Sequence, residues 1–224
     1  MTDVHTRPEQ SFSGPYNAVF AAIYEPILWW GERSGMADNR RELLASARGA
    51  VLELGAGTGL NLPHYPDTID RLVLTEPDEH MARRLEQRLE RLGKPGKVVL
   101  TPAETLPFDD GAFDTVVSTL VLCNVQDPER SLQEIRRVLR PGGSLLFLEH
   151  VRSDDVRLAR WQDRLHKPWR GFACGCNCNR ETLDLLNAEG FTLSGVGRGE
   201  WRKVPPIVRP LVSGSASPPE TEQR

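Results

Sequence analysis

The residue pattern with the clearest chemical meaning is a run of alternating glycines, Gly55, Gly57 and Gly59, directly after the apolar segment 50–54. An apolar run of this length, in which Glu53 is the one charged residue, predicts a buried strand of a parallel sheet. Glycines after such a strand leave the main chain bare, so a ligand can lie against backbone N–H groups. The pattern therefore predicts a binding loop for a nucleotide-type ligand.

Three nucleotide classes compete for this loop, and the residues after Gly59 discriminate between them. A triphosphate loop requires lysine followed by serine or threonine, whereas Leu60 and Asn61 stand there. A dinucleotide loop requires a third glycine three residues after the second, and that position holds Leu60. The first class is excluded and the second is weakened, which favours a ligand without a pyrophosphate.

A carboxylate follows the loop at the spacing expected for a nucleoside contact. Residues 71–75 form a second apolar run, and Glu76 and Pro77 come next, 21 residues after Gly55. In parallel sheets an acid at this strand end accepts hydrogen bonds from the two ribose hydroxyls. Each such bond to a charged acceptor contributes about 1.5–3 kcal/mol. Glu76 is therefore the predicted ribose ligand.

The downstream segments continue the alternation of strands and helices. Asp78 and Asp127 each precede a stripe of apolar residues at helical spacing, as helix N-caps do. Further strands are predicted at 97–100, 113–118 and 144–149, the last one after a Pro-Gly-Gly break. This order predicts an α/β fold with a mostly parallel sheet.

Together these blocks resemble the class I S-adenosylmethionine (SAM) methyltransferases. The loop 53–59, the Ala103-Glu104 pair after the third strand and the stretch 138–143 are each similar to a family motif. One departure is Pro102, where many members carry an acid or amide for the adenine amino group. We expect adenine to be read instead by the backbone of Ala103 and Glu104, or by the Glu104 carboxylate.

The resemblance implies SAM as the cofactor and a single Rossmann-like domain. It implies a mostly parallel seven-stranded sheet with helices on both faces, closed by antiparallel strands for which 191–196 and 204–212 are candidates. The implied SAM-binding residues are Glu53, Gly55, Ala56, Gly57, Thr58, Gly59, Glu76, Pro77, Ala103, Glu104, Thr119 and Leu120.

Three parts of the chain are predicted to differ in organisation. Residues 1–47 are expected to form an N-terminal helical lid segment, and residues 48–212 the methyltransferase domain. Residues 213–224 are rich in Ser, Pro, Glu and Gln, a composition typical of disorder.

The acceptor side carries a narrower resemblance. Residues 118–125, the Glu149-His150-Val151 end of strand five, a Trp-Gln pair at 161–162 and the stretch 175–180 resemble the thiol S-methyltransferases of animals and their bacterial relatives. This resemblance implies methyl transfer to a small, apolar acceptor, with sulfur as a candidate acceptor atom. A quinone or phospholipid methyltransferase, or a SAM-binding protein without turnover, remains the alternative.

Two histidines are candidate catalytic residues. A free thiol with a pKa near 8.5 is only a few per cent ionised at neutral pH, so a base or a positive field assists its methylation. His150, at the predicted end of strand five, is the first candidate for base or acceptor orientation, and His166 is the second.

No metal is expected, because Cys174, Cys176 and Cys178 lack the Cys-x-x-Cys pairs of structural zinc sites. Cys176 is expected to line the acceptor pocket or to cap the helix that follows.

The remaining features concern partners and location. Acidic and basic groups number 31 and 28, give a net charge of −3 and are well mixed, which argues against a nucleic-acid substrate. The N-terminus offers no signal peptide, so a cytoplasmic location is expected. The apolar segment that ends in Trp29 and Trp30 is too short and broken to span a bilayer, but it suits peripheral contact with a membrane.

Overall fold

The computed structural model of the protein describes residues 29–173 and 175–219, together with Ala22 and Pro26. Its centre is a seven-stranded sheet with the order β3-β2-β1-β4-β5-β7-β6. The first five strands run parallel, and β7 pairs antiparallel with both β5 and β6. This arrangement confirms the predicted sheet. The strands are β1 (Ala50–Leu54), β2 (Arg71–Thr75), β3 (Lys97–Val99), β4 (Phe113–Thr119), β5 (Leu139–His150), β6 (Thr192–Glu200) and β7 (Pro210–Ser217).

Two helices begin at the residues that the capping signals predict. Asp78 accepts hydrogen bonds from the backbone of His80 and Met81, and Asp127 accepts one from Arg130. Both carboxylates thereby satisfy donors that a helix start leaves open. The α-helices are α1 (Ala37–Leu44), α2 (Glu79–Leu92), α3 (Pro128–Val138), α4 (Val156–Phe172) and α5 (Thr182–Ala188), with short 3₁₀ turns at Leu62–His64 and Pro206–Val208.

Alternate residues of the buried strands point to opposite faces of the sheet, so the chain builds two apolar cores. On one face Leu52 and Phe147 pack with Ile135 of α3. On the other face Val51 and Leu146 pack with Leu85 of α2. The helices therefore cover both faces, and the carboxyl ends of β1, β2, β4 and β5 share one edge of the sheet.

The C-terminal predictions need correction. Disorder from residue 213 is wrong as far as Ser217, because β7 runs from Pro210 to Ser217 between β5 and β6. The strand predicted at 204–212 is also wrong in its first half, which contains the 3₁₀ turn Pro206–Val208. Small residues in β7 leave room for the neighbouring strand, because a side chain at Gly214 would lie 3.1 Å from Phe147. Residues 220–224 lie outside the described part of the chain.

The N-terminal segment is described only from Trp29 onward, apart from Ala22 and Pro26. A π-helical turn, Glu32–Met36, kinks at Ser34 and Gly35 and leads into α1. The rest of the predicted lid, including Phe20, lies outside the described residues. Among the helices that the structure describes, none combines the length and the apolarity needed to cross a bilayer.

Candidate active site

The glycine loop lies at the carboxyl end of β1 and opens at its centre. Gly55, Gly57 and Gly59 have φ angles of 49°, 57° and 84°, in the left-handed region that favours glycine. A side chain at Gly55 would lie 2.9 Å from Val121, and one at Gly59 would lie 2.8 Å from Leu62. At Gly57 nothing lies within 4 Å, so this glycine faces open space where a ligand can approach the main chain.

Glu76 and the glycine loop form one hydrogen-bonded unit. The Gly57 backbone N–H donates to Glu76 Oε2 and the Asp78 N–H donates to Oε1, each at 2.9 Å. The carboxyl is 7% exposed, and burial raises its pKa to about 7. The side chain of Glu76, the predicted ribose ligand, is therefore held in a fixed orientation by the backbone of the glycine loop and of Asp78.

Glu53, which is buried at the end of β1, is held by residues to which the sequence assigned no role in the site. Asn61 Nδ2 donates to Glu53 Oε1 at 2.9 Å, and the Tyr65 hydroxyl donates to Oε2 at 2.7 Å. Arg40 donates to Asn61 Oδ1 at 2.8 Å and pairs with Glu32. Burial raises the pKa of Glu53 to about 7 despite these donors.

The residues around the loop fit an adenosine-type ligand. Thr58 Oγ1 is buried, and within the described part of the chain it has no hydrogen-bond partner. A buried hydroxyl without a partner is destabilising unless a ligand satisfies it. The loop, Glu53 and Thr119 line a small pocket with Arg40. Thr119 Oγ1 accepts a hydrogen bond from Asn61 at 3.1 Å, which ties the end of β4 to the same network.

The predicted adenine contacts lie on the neighbouring loop. Ala103 is buried, and Glu104 Oε1 accepts from the backbone N–H groups of Gln126 and Asp127 at 2.9 and 3.4 Å. The Glu104 carboxylate therefore holds the start of α3. The backbone of Ala103 and Glu104 is the adenine contact that we expect.

The chain leaves β4 through a strained turn that a buried acid stabilises. Leu120 has φ of 59°, which is unusual for a residue with a side chain. Glu149 accepts hydrogen bonds from the Ser118 hydroxyl and from the N–H groups of residues 121, 122 and 123, at 2.7 to 3.3 Å. Arg180 binds the carbonyls of Leu122 and Val125 from the other side. These bonds fix the position of Cys123.

Beside this turn, three polar side chains converge on one sulfur atom. His150 Nε2 lies 3.0 Å from Cys176 Sγ, and Trp169 Nε1 donates to the same sulfur at 3.1 Å. Cys123 Sγ is the third group, within 4.8 Å of the other two ligand atoms of the cluster. His150 and Cys123 are buried, whereas Cys176 is partly exposed. Cys176 is thus the most accessible member of the cluster.

The cluster favours a sulfur anion on Cys176. The hydrogen bond from Cys123, followed by the effects of His150 and Trp169, lowers the pKa of Cys176 to about 4. The same hydrogen bond raises the pKa of Cys123. Burial alone would lower the pKa of His150, but the charge on Cys176 raises it above the ordinary value. These shifts favour a thiolate on Cys176 beside a protonated His150.

The same three side chains are also the set that could hold a metal ion. The ligand atoms of Cys123, His150 and Cys176 lie within 4.8 Å of one another, and two thiolates with one imidazole suit a soft ion. The 3.0 Å contact between His150 and Cys176 has the length of a direct hydrogen bond. The absence of a metal stays a prediction.

Comparison with known proteins shows the family to which this chain belongs. Residues 52–147 match the family model described as a methyltransferase domain. Human thiol S-methyltransferase TMT1B is 40% identical over 167 residues, 69% of this chain and 68% of that protein. Human thiol S-methyltransferase TMT1A is 33% identical over 193 residues, 81% of this chain and 79% of that protein. The chain belongs to the SAM-dependent methyltransferase family.

A solved structure supports the fold assignment of the methyltransferase. A Thermotoga maritima SAM-dependent methyltransferase, titled as a possible histamine N-methyltransferase, aligns with a TM-score of 0.66 at 22% identity. The alignment covers 89% of this chain and 96% of that one. The similar curated proteins also include a phosphatidylethanolamine N-methyltransferase and quinone C-methyltransferases. The enzyme therefore transfers methyl groups from SAM, and a small-molecule acceptor is consistent with these relatives.

The methyltransferase brings most of the sequence-predicted site residues to one edge of the sheet. The glycine loop, Glu76 and Thr119 lie at the ends of neighbouring strands, and His150 ends β5. His166 lies outside the sulfur cluster and contacts Asn177 Oδ1 at 3.1 Å. Cys176 does not cap a helix, because α5 begins at Thr182 without a side-chain cap.

Proposed function

We propose that this methyltransferase transfers the methyl group to the sulfur of a small, apolar thiol. Its human relatives TMT1B and TMT1A are named as thiol S-methyltransferases. The observation that carries the proposal is the convergence of an imidazole, an indole and a second thiol group on Cys176 Sγ. Surroundings that stabilise one sulfur anion also suit the sulfur of an acceptor bound beside it.

In this proposal, the loop and strand ends hold SAM. Bound SAM supplies an activated methyl group on a sulfonium. The loop 53–59 presents its main chain and Thr58 hydroxyl, and Glu76 with Pro77 binds the ribose. Ala103 and Glu104 border the adenine, and Thr119 and Leu120 form the wall between the cofactor and the acceptor. Since the loop and the acids are hydrogen-bonded before the ligand arrives, little reorganisation accompanies binding.

The acceptor thiol loses its proton to Cys176 in the proposed reaction. The S–H proton moves to Cys176 Sγ, and the acceptor sulfur takes the place of Cys176 as the anion beside the His150 imidazolium. The positive charge on His150, which together with the hydrogen bond from Cys123 lowers the pKa of Cys176, also stabilises a neighbouring acceptor anion and so lowers the cost of this proton transfer. Cys176 returns the proton to water after the thioether has left.

His150 therefore orients and stabilises the acceptor anion and keeps its own proton. Its ring is 3% exposed, which excludes water and strengthens the charge interaction. His166 has a lesser proposed role as part of the outer wall, where it orders Asn177. The Asn177 backbone N–H donates to the Cys123 carbonyl at 2.8 Å.

We further propose that the enzyme is cytoplasmic and makes peripheral contact with membranes through its N-terminal apolar segment. Trp29 and Trp30 support this proposal, because their side chains are 47% and 64% exposed. Arg33 lies 4.9 Å above the Trp29 ring. Aromatic rings beside a cation are suited to the membrane–water interface.

Methyl-labelled SAM tests the acceptor proposal directly. The enzyme is incubated separately with an apolar aryl thiol, its phenol counterpart, a quinol and phosphatidylethanolamine vesicles. We expect label in the aryl thiol and at least tenfold less in the phenol. Preferential labelling of the quinol or of the phospholipid would refute the thiol proposal. Measurable SAM affinity with no labelled product in any sample would contradict turnover on these acceptor classes.

A further inference from the structure

Helix α4 carries an apolar stripe on its outer surface. Trp161 and Leu165 are 55% and 37% exposed, and Pro168 is also exposed. Spacings of four and three residues place these side chains on one line along a helix. Solvent-facing tryptophan and leucine one helical turn apart give α4 an exposed apolar stripe. Exposed apolar patches on soluble proteins mark interaction sites.

A basic stripe runs beside the apolar one. Spacings of three and four residues align Arg157, Arg160, Arg164 and Lys167, and all four are exposed. Arg164 lies 5.9 Å from the centre of the Trp161 ring, so the two stripes meet. In the described part of the chain, none of these four cations forms an ion pair. The outer surface of α4 is therefore both apolar and strongly cationic.

The inner side of the helix is fixed to the domain. Gln162 is buried. Its side-chain amide nitrogen, Nε2, donates to the carbonyls of Val151, Cys178 and Ile207 at 2.8 to 3.0 Å. Its Oε1 accepts from the Ser153 N–H at 2.8 Å. These four bonds set the rotation of α4, so the apolar and basic stripes face away from the protein.

We propose that α4 docks on an anionic lipid surface. In this arrangement Trp161, Leu165 and Pro168 enter the boundary between head groups and acyl chains, while the basic stripe binds lipid phosphates. A helix of 17 residues is about 25 Å long, so both stripes can lie along the membrane plane. A basic amphipathic helix with exposed tryptophan is the arrangement that binds membrane surfaces.

Charge complementarity selects this partner over a second copy of the chain. Asp163 is the acid within α4, and it is already bound to Arg152 and Asn179. Two α4 surfaces facing each other would bring like charges together, whereas anionic lipids attract each exposed cation. The residues of this surface all belong to α4, whereas Trp29 and Trp30 belong to the N-terminal segment.

Docking through α4 would bring the acceptor side close to the bilayer. Trp169 and His166, on the flank of the same helix, contact Cys176 and Asn177. An apolar thiol concentrated in the membrane would then reach the sulfur cluster over a short path. This consequence rests on the proposed function, whereas lipid binding itself does not.

Vesicle co-sedimentation of the full chain without SAM or acceptor tests the docking. One vesicle set is pure phosphatidylcholine, and the other contains phosphatidylglycerol. We expect binding to the anionic vesicles that weakens as salt is added. Arg160→Glu with Arg164→Glu should weaken it more than tenfold, since each lost cation costs about fivefold. Trp161→Ser with Leu165→Ser should also weaken it at least tenfold.

The matched control is Arg83→Glu with Arg84→Glu, the same charge change on the exposed side of α2, which should alter binding by less than twofold. SAM affinity of each variant establishes that it is folded. Equal binding of the α4 variants and the wild type would overturn the proposal and leave the N-terminal segment as the contact. Failure of the wild type to sediment with anionic vesicles would also overturn it. A dimer in analytical ultracentrifugation that Trp161→Ser dissociates would identify a second copy of the chain as the partner instead.

Discussion

The cofactor side and the acceptor side of this enzyme are assembled in different ways. The hydrogen bonds that the Glu53 and Glu76 carboxylates accept join residues 2 to 19 positions apart in the sequence. On the acceptor side, the bonds from His150 to Cys176, from Asn177 to Cys123 and from Arg180 to Leu122 span 26, 54 and 58 positions. The bonds to the two carboxylates are thus local in the chain, although Asn61 also reaches Thr119, 58 positions away. The acceptor side depends more heavily on contacts between distant parts of the sequence.

The two sides also differ in the atoms that they offer. The cofactor side presents main-chain N–H groups and two buried carboxylates that already have donors. The acceptor side presents a sulfur atom surrounded by donors, with His150 Nδ1 unpartnered within the described residues. We infer that the cofactor side recognises a preset shape, whereas the acceptor side stabilises a charge.

The largest expected effect is a loss of turnover, without a loss of SAM affinity, when His150 on the acceptor side is replaced. Replacing His150 by Ala removes the imidazolium, so we expect turnover to fall at least about a hundredfold. SAM affinity, measured by calorimetry, should change by less than threefold. A control is Cys178→Ser, a buried cysteine outside the cluster, which should retain most activity. A wild-type rate in the His150 variant between pH 6 and 9 would exclude the proposed role.

The second prediction concerns SAM binding and a residue of the cofactor side, Glu76. Glu76→Ala removes the ribose acceptor and the bond that orients Gly57. We expect SAM binding to weaken by about tenfold or more. Glu76→Gln, which keeps the shape and one neutral acceptor, should lose less. An unchanged dissociation constant in the alanine variant would refute the ribose assignment.

The raised carboxyl pKa values predict a pH dependence on the cofactor side. Glu53 and Glu76 have folded-state pKa values of about 7, raised by burial from 4.5. The stability that they contribute is fully present below pH 4.5 and is lost as the pH rises through 7. The free energy of unfolding of the SAM-free enzyme should therefore decline across this window.

Binding should show the opposite trend, because the ionised Glu76 is the better acceptor for ribose hydroxyls. SAM affinity should rise by up to about tenfold between pH 6 and pH 8. Glu76→Gln should remove most of this dependence. Calorimetric titrations across the range, in both proteins, measure it. A flat profile in the wild type would contradict the ionisation of Glu76 in this window.

The smallest effect concerns the unpartnered hydroxyl of Thr58. Thr58→Val keeps the side-chain shape and removes a buried polar atom that has no partner in the described residues. We expect the SAM-free protein to gain about 1 kcal/mol in unfolding free energy and to bind SAM several-fold more weakly. Thermal unfolding with and without SAM measures both. A variant that is less stable and binds normally would show that the hydroxyl has no ligand role.

The local structure of the cofactor side is readable from the sequence because its signals are short and each has a physical cause. Glycines with left-handed φ angles, capping aspartates and an acid at a strand end are readable within about 25 residues. The partners of Glu53 escaped prediction, because Asn61 and Tyr65 have no residue type or spacing that marks them as ligands of a carboxylate.

The acceptor side could be predicted only in part. His150 was identifiable from its position at a strand end, but its contact with Cys176 depends on how α4 and the following turn return to the sheet. Strand β7 was missed for a related reason. Its small residues resemble those of a disordered tail, whereas the demand for them comes from Phe147 of β5.

The pH dependence of methyl transfer to one aryl thiol, in the wild type and in Cys176→Ser, tests the central claim most directly. If Cys176 takes the acceptor proton, the wild-type rate should persist at pH values below the pKa of the free thiol. The Cys176→Ser rate should instead fall in proportion to the thiolate present in solution, about tenfold for each pH unit. Parallel pH profiles in the two proteins would contradict the account.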